Sequence, residues 1–149
     1  MSIKFFVVFF ILFLWVKKME KGFTNKIMQI LDEYKYPKID FVIDPTYRRY
    51  YDVPSEVLLK VAPLLPNGEE RQNYSPAVKD FVYVAKMDAR ILFDLYVVSE
   101  REDERLSIDG VRIPTERQDL VNYLTAKALD EPDIYLPTED KKYIYLWWD

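Results

Sequence analysis

The chain has 149 residues, half of them apolar and 16% aromatic, and a formal charge of −4. That suffices for one domain with its own core and excludes a disordered chain. The acidic balance weighs against a general nucleic-acid or anionic-membrane binder.

The sequence contains neither His nor Cys. Disulfides, thiol nucleophiles, the usual zinc sites and every Ser-His-Asp or Cys-His arrangement are therefore excluded. A metal would have to be a hard ion held by carboxylates, such as magnesium. Asn and Gln together number seven, Gly three, and charged residues make up 31%. Few thermolabile residues beside abundant Lys, Glu and Arg is the bias of hyperthermophiles. The composition is like that of small proteins of hot-spring archaea and their viruses.

Phe5 to Val16, FFVVFFILFLWV, is an uninterrupted apolar run between Lys4 and Lys17-Lys18. As a helix it would be about 18 Å long, short for a bilayer core of about 30 Å. Read as an uncleaved anchor, its C-terminal lysines would hold the remainder on the cytoplasmic face of a membrane. The alternative is a mis-assigned start. The codons for Trp15 to Met19 can hold a ribosome-binding sequence just before an ATG, which would place the first residue at Met19. Lys4, Lys17 and Lys18 then drop out of the 21 basic residues, and the charge becomes −7. The chain divides accordingly into a hydrophobic segment, 1–18, and one globular domain, 19–149.

Thr24 is placed to cap a short helix with Ile27, Ile30, Leu31 and Tyr34 on one face, ended by Tyr36-Pro37. Ile39, Phe41 and Ile43 alternate with Asp40, Val42 and Asp44 as in a strand. Asp44-Pro45-Thr46 turns the chain, and Tyr47 to Asp52 returns as the second strand. Pro54-Ser55-Glu56 opens a helix that Pro66-Asn67-Gly68 stops.

The segment SPAVKDFVYVAKMDARILFDLYVV, residues 75–98, reads as a long central helix over about 76–98, with Ser75 as N-cap and Pro76 in the first turn. Val78, Phe81, Val82, Val84, Ala85, Ala89, Ile91, Leu92, Phe93, Leu95 and Tyr96 fall on one broad arc at 100° per residue. Lys79, Asp80, Lys86, Arg90 and Asp94 fall opposite. A β-hairpin, the competing reading, would need a turn at residues 86–89, which lack turn residues. Asp88 is the one charge inside the apolar arc, between Phe81, Leu92 and Leu95, and Asp94 lies on the solvent side. A carboxylate so placed needs an Arg, Lys or Tyr partner or a cleft, which makes Asp88 the first candidate site residue.

Asp109-Gly110, between Ile108 and Val111, is the strongest hairpin-turn signal in the chain. Thr115 with Gln118 has the pattern of a capping box, opening a helix to about Leu129. Ile134 to Leu136 and Tyr143 to Trp148 form a last hairpin, whose Trp147-Trp148 pair can hide both rings only if the strand is covered on two faces. The order α-ββ-α-α-ββ-α-ββ predicts an α+β domain, with antiparallel hairpins packed around the long helix.

Four constellations invite a chemical reading. Asp40 and Asp44 share a strand face, but their α-carbons would be about 13 Å apart, too far to grip one ion unaided. Asp133, Glu139 and Lys141 resemble the Asp…Glu-x-Lys pattern of a large magnesium nuclease superfamily. That pattern implies two acids holding the ion and a lysine assisting the attacking water. In that family Glu-x-Lys lies in a core strand well separated from the Asp, whereas here five residues intervene and Glu139 falls in a turn. Arg48, Arg49 and Tyr50, within Tyr47-Arg48-Arg49-Tyr50-Tyr51, interleave basic and stacking groups as single-strand nucleic-acid binders do. Residues 116–148 have the outline of a recognition helix and wing, but carry four basic against seven acidic residues, the wrong sign for DNA.

The sequence therefore predicts a small thermostable protein without catalytic machinery or cofactor. It would act on a protein partner or by self-association, bind nucleic acid weakly if at all, and lie in the cytoplasm or be tethered through Phe5 to Val16. The alternative is a magnesium-dependent nuclease or nucleic-acid-binding protein using Arg48 and Arg49.

Overall fold

The computed structural model describes residues 22–34, the backbone of Pro37 and Lys38, and residues 46–149. The run Phe5 to Val16, the alternative start at Met19, and the strand carrying Asp40 and Asp44 lie outside the described residues. Helix α1 spans Phe23–Glu33, and strand β1 is the pair Pro37–Lys38. Strand β2 (Tyr47–Pro54) runs into α2 (Ser55–Val61), which tightens into a 3-10 turn at Ala62–Leu64. Then come α3 (Val78–Met87), β3 (Leu92–Val98) and β4 (Arg105–Pro114). The chain ends with α4 (Gln118–Lys127), β5 (Ile134–Pro137) and β6 (Tyr143–Trp147). The described strands form one sheet in the order β1-β2-β3-β4-β6-β5, each pair antiparallel. The molecule is thus α+β, as its element order predicts.

The helices share one core with a single set of alternate strand residues: Tyr50 and Val53 of β2, Phe93, Leu95 and Val97 of β3, Leu106, Ile108, Val111 and Ile113 of β4, and Leu146 of β6. The pairings Tyr50↔Leu95, Phe93↔Val111 and Val111↔Leu146 place these residues on one face of the sheet. Phe81 of α3 joins helix layer to sheet, edge-on to Phe93 at 6.2 Å and to Trp148 at 6.1 Å. Trp148 is buried with its indole N–H donating to the carbonyl of Asp130, while Trp147 points to the opposite face. The two rings are accommodated on two sides of the sheet.

The long helix over 76–98 does not exist. Its first half is α3, and its second half is β3. The last helical bond runs from Asp88 N to Val84 O (3.1 Å), after which Asp88 takes extended angles (φ −149°, ψ 115°). Its carboxylate accepts the Arg90 amide at 3.0 Å, a local bond that competes with continued helix. The Ser55 hydroxyl donates to the carbonyl of Ile91 at 2.7 Å and fixes the turn from α2. Beyond it β3 is buried on both faces, so its apolar residues run on without the alternation that marks a half-exposed strand.

Asp109-Gly110 is not a turn either, since β4 passes straight through it with an irregularity opposite Asp94 and Leu95. Gly110 does not have a left-handed φ. It is glycine for room: a Cβ there would lie 2.9 Å from Asp94 Oδ2 and 3.0 Å from the Tyr145 hydroxyl.

Three caps differ from expectation. Thr24 is inside α1, and the N-cap is Gly22. The free amides of Gly22 and Thr24 are taken by the Glu104 carboxylate at 2.8 and 2.9 Å, and the Thr24 hydroxyl donates to the same group. Ser75 does not cap α3. It closes the preceding loop, accepting from Gln72 N at 2.9 Å, while Asp80 reaches back to Ala77 N at 3.0 Å. Thr115 donates to the carbonyl of Lys141 at 2.8 Å instead of pairing with Gln118 in a capping box.

Candidate functional site

A groove of about 820 Å³ opens on the helical side. One wall is Leu59, Ala62 and Leu65, from α2 and the turn after it, and the other is Val82 and Tyr83 of α3 with Tyr123 of α4. Tyr83, 43% exposed, lies against Tyr123 with ring centroids 4.5 Å apart. Lys79, Lys86 and Lys127 stand along the same groove. Lys79 holds Glu69 at 2.6 Å, and the Lys127 ammonium lies 5.6 Å from the centre of the Tyr123 ring. The groove's acid, Asp80, is 5% exposed and occupied at the α3 N-terminus. Burial, and after it the Asp80 carboxylate, raises the Tyr123 hydroxyl above its ordinary pKa, so Tyr123 is a neutral donor at pH 7.

Local sequence explains the placement. Lys79, Tyr83 and Lys86 recur at spacings of four and three on α3, and Tyr123 and Lys127 at four on α4, so each helix presents a Tyr-Lys stripe. Gly68 lets the loop before α3 lie against it: its carbonyl accepts Lys79 N at 2.9 Å, its φ is +69°, and a Cβ would meet the Lys79 Cβ at 3.1 Å.

The opposite face of the sheet carries a ladder of buried charge. The Arg49 guanidinium grips Asp109 through two bonds, of 3.0 and 2.6 Å, and Trp147 Nε1 donates to the same carboxylate at 3.3 Å. Arg112 donates to Asp94 at 3.0 Å and to Asp52 at 2.9 Å, with its guanidinium 4.5 Å from the centre of the Tyr145 ring. The Tyr145 hydroxyl donates to Asp94 at 3.0 Å, and Asp52 N to its other oxygen at 3.1 Å. Burial and then Asp94 raise the pKa of that hydroxyl. Tyr47 stacks on Tyr96 at 5.0 Å, and the guanidiniums of Arg49 and Arg105 both lie against the Tyr96 ring. Asp94 and Asp109 are each 1% exposed. This face is closed by its own pairs and offers a ligand little unsatisfied charge.

The residues singled out from sequence are scattered. Asp88 is 7% exposed and ends α3, with Arg90 Nη2 at 2.8 Å and Arg117 Nη1 at 3.1 Å. Arg90 also pairs with Glu116. The Arg90 side-chain bonds, which outweigh burial, hold the Asp88 pKa down to about 2. Asp133 lies just before β5 and accepts from Asp149 N at 2.8 Å, whereas Glu139 and Lys141 are in the turn at the far end of that strand. The Asp…Glu-x-Lys set is therefore not assembled. Arg48 pairs with Asp32 at 3.3 Å, Arg49 is bound to Asp109, and Tyr50 is fully buried with its hydroxyl donating to Asp32 at 3.1 Å. Asp94, expected on the solvent side of a helix, is among the most buried charges described.

Among the described residues no three acidic side chains converge as a metal site, and no helix is long and apolar enough to cross a membrane. No family model, curated protein or solved structure matches the chain.

Proposed function

We propose that the protein is a binding module that engages another protein through the groove between α2, α3 and α4. The observation that carries this reading is the pair of exposed Tyr83 and half-buried Tyr123, which lines the groove together with Leu59, Leu65 and Val82 and is bordered by lysines. Tyrosines beside apolar side chains, with charge at the rim, make good interface anchors. Self-association through the same groove is the second form of this reading. Phe5 to Val16 would tether the module to the cytoplasmic face of a membrane, and without that tether it would work in the cytoplasm. The clustered pairs around Asp88 and Asp94 suit a protein built for high temperature. The nuclease or nucleic-acid alternative has less support, because Arg48 and Arg49 are already paired and Asp133 stands apart from Glu139 and Lys141.

The test places a photo-crosslinking residue at position 83 in the full chain, with position 135, on the edge strand, as control. A partner captured at 83 is identified, purified and rebound to wild type and to Tyr83→Ala. Preferential capture at 83, with binding lost in Tyr83→Ala, supports the reading. Capture at 135 alone, or undiminished binding to Tyr83→Ala, overturns it.

A further inference from the structure

We infer that the groove takes an acidic amphipathic helix from its partner; this deepens the binding-module reading and rests on it. Three features of the site select that guest. The first is what borders the groove. Its lining residues come from α2, the 3-10 turn, the following loop, α3 and α4, with no strand edge among them. An extended segment lying there would find no ladder of backbone partners, and its own amides and carbonyls would be buried unpaired. A helix satisfies its backbone internally and needs only side-chain contacts.

The second feature is the apolar lining. Leu59, Leu65, Val82, Tyr83 and Tyr123 present a surface for one stripe of large apolar side chains. Two residues beyond Lys127, Leu129 is 64% exposed, and its amide is bonded to the carbonyl of Tyr74, itself 61% exposed, so apolar surface continues past the end of α4.

The third is charge. The chain is acidic overall, yet this groove carries Lys79, Lys86 and Lys127. Lys86 has no acidic partner among the described residues, and Lys127 rests on an aromatic ring and not on a carboxylate. Of the neighbouring acids, Asp80 is turned into the α3 cap and Glu69 is taken by Lys79. A positive rim on a negative molecule steers an acidic guest to this place, because the acidic remainder of the surface repels it.

The experiment is fluorescence anisotropy on the full chain with a labelled helical peptide of about four turns, Leu and Phe along one stripe and Glu opposite. A twin carries Lys for Glu. The expected result is saturable micromolar binding of the acidic peptide, weakened by salt. Lys86→Glu with Lys127→Glu should weaken it at least about tenfold and reverse the preference between the twins. Tyr83→Ala should weaken it comparably, with melting temperatures confirming that each variant is folded. Equal binding of the twins, binding that survives these substitutions, or no saturation by about 1 mM overturns the inference. So does a concentration-dependent dimer abolished by Tyr83→Ala, which would give the groove to a second copy. If the position-83 crosslink yields a partner that the acidic peptide does not displace, the acidic-helix inference fails while the groove remains the binding site.

Discussion

Asp94 and Gly110 face each other across β3 and β4 so closely that no side chain fits at residue 110: an added Cβ would be 2.9 Å from Asp94 Oδ2 and 3.1 Å from Asp94 Cβ. The Asp94 carboxylate cannot simply swing away, because Arg112, Tyr145 and the Asp52 amide all hold it. Gly110→Ala is therefore expected to cost about 1–3 kcal/mol, the usual range for overpacking a filled site. Urea unfolding of the two proteins checks this. An unchanged midpoint would mean that the strands part freely and that the Asp94 cluster is loosely held.

Asp94→Ala should destabilise more than Asp88→Ala. Asp94 has a side chain 2% exposed, and its removal leaves the Tyr145 hydroxyl and the Asp52 amide without their acceptor, at a cost of about 3–5 kcal/mol. Asp88 is also buried, but its partners Arg90 and Arg117 have side chains 53% and 26% exposed. Water can replace the carboxylate around them, and the loss should be about 1–3 kcal/mol. Thermal or denaturant midpoints of the two variants decide the order. Equal effects would show that the charged ladder on β3 is no more sheltered than the end of α3.

Acid should release the contribution of Asp88. Its bonds to Arg90 hold its folded pKa near 2, below the ordinary value for Asp, so the charged form is favoured in the folded state. The resulting stability is fully present above about pH 4 and lost as pH falls through the folded value. Asp88→Asn cannot titrate there. The stability gap between wild type and Asp88→Asn should be constant from pH 7 to about pH 5 and narrow between about pH 4 and pH 2. Urea titrations at several pH values read the gap directly, and a gap independent of pH would remove the ion pair as its cause.

Much of the element order can be read from the sequence, because α1, α2 and the final hairpin carry their own periodicity and stop signals. The centre of the chain cannot. Residues 92–98 form a strand covered on both faces, so their apolar side chains do not alternate, and Asp88 breaks the helix with a side-chain bond that no Gly or Pro announces. Asp109-Gly110 looks like a turn because glycine usually marks a positive φ, whereas here it marks contact with Asp94. The groove is not legible in the sequence, where Lys79 and Lys86 read as the solvent side of a long helix and nothing marks Tyr83 or Tyr123. That α3 and α4 lie side by side, making one site of the two stripes, depends on long-range packing against the sheet.

Glu104 should govern how firmly α1 is held. It lies just before β4, yet its carboxylate accepts the amides of Gly22 and Thr24, the place where an N-cap side chain would act. Glu104→Ala is expected to cost about 1–2 kcal/mol. The effect should be local, with faster hydrogen exchange in the first turns of α1 than in β3. Exchange that rises equally throughout would mean that α1 does not open separately from the sheet.

Nucleic acid provides the sharpest contrast between the two readings of Arg48 and Arg49. For phosphate binding they must be available, but Arg48 is paired with Asp32 and Arg49 is clamped on Asp109, whose side chain is 2% exposed. The acidic chain also gives little counterion release, so no appreciable binding to DNA or RNA is expected at physiological salt. Arg49→Ala should instead act on stability, by about 3 kcal/mol, since among the described residues it leaves the buried Asp109 carboxylate with Trp147 Nε1 as its remaining side-chain donor. Filter binding and nuclease assays with magnesium, run beside melting curves for wild type and Arg49→Ala, separate the readings. Micromolar binding that weakens steeply with salt and disappears on joint Arg48→Ala and Arg49→Ala substitution, with the melting point unchanged, would restore the nucleic-acid reading.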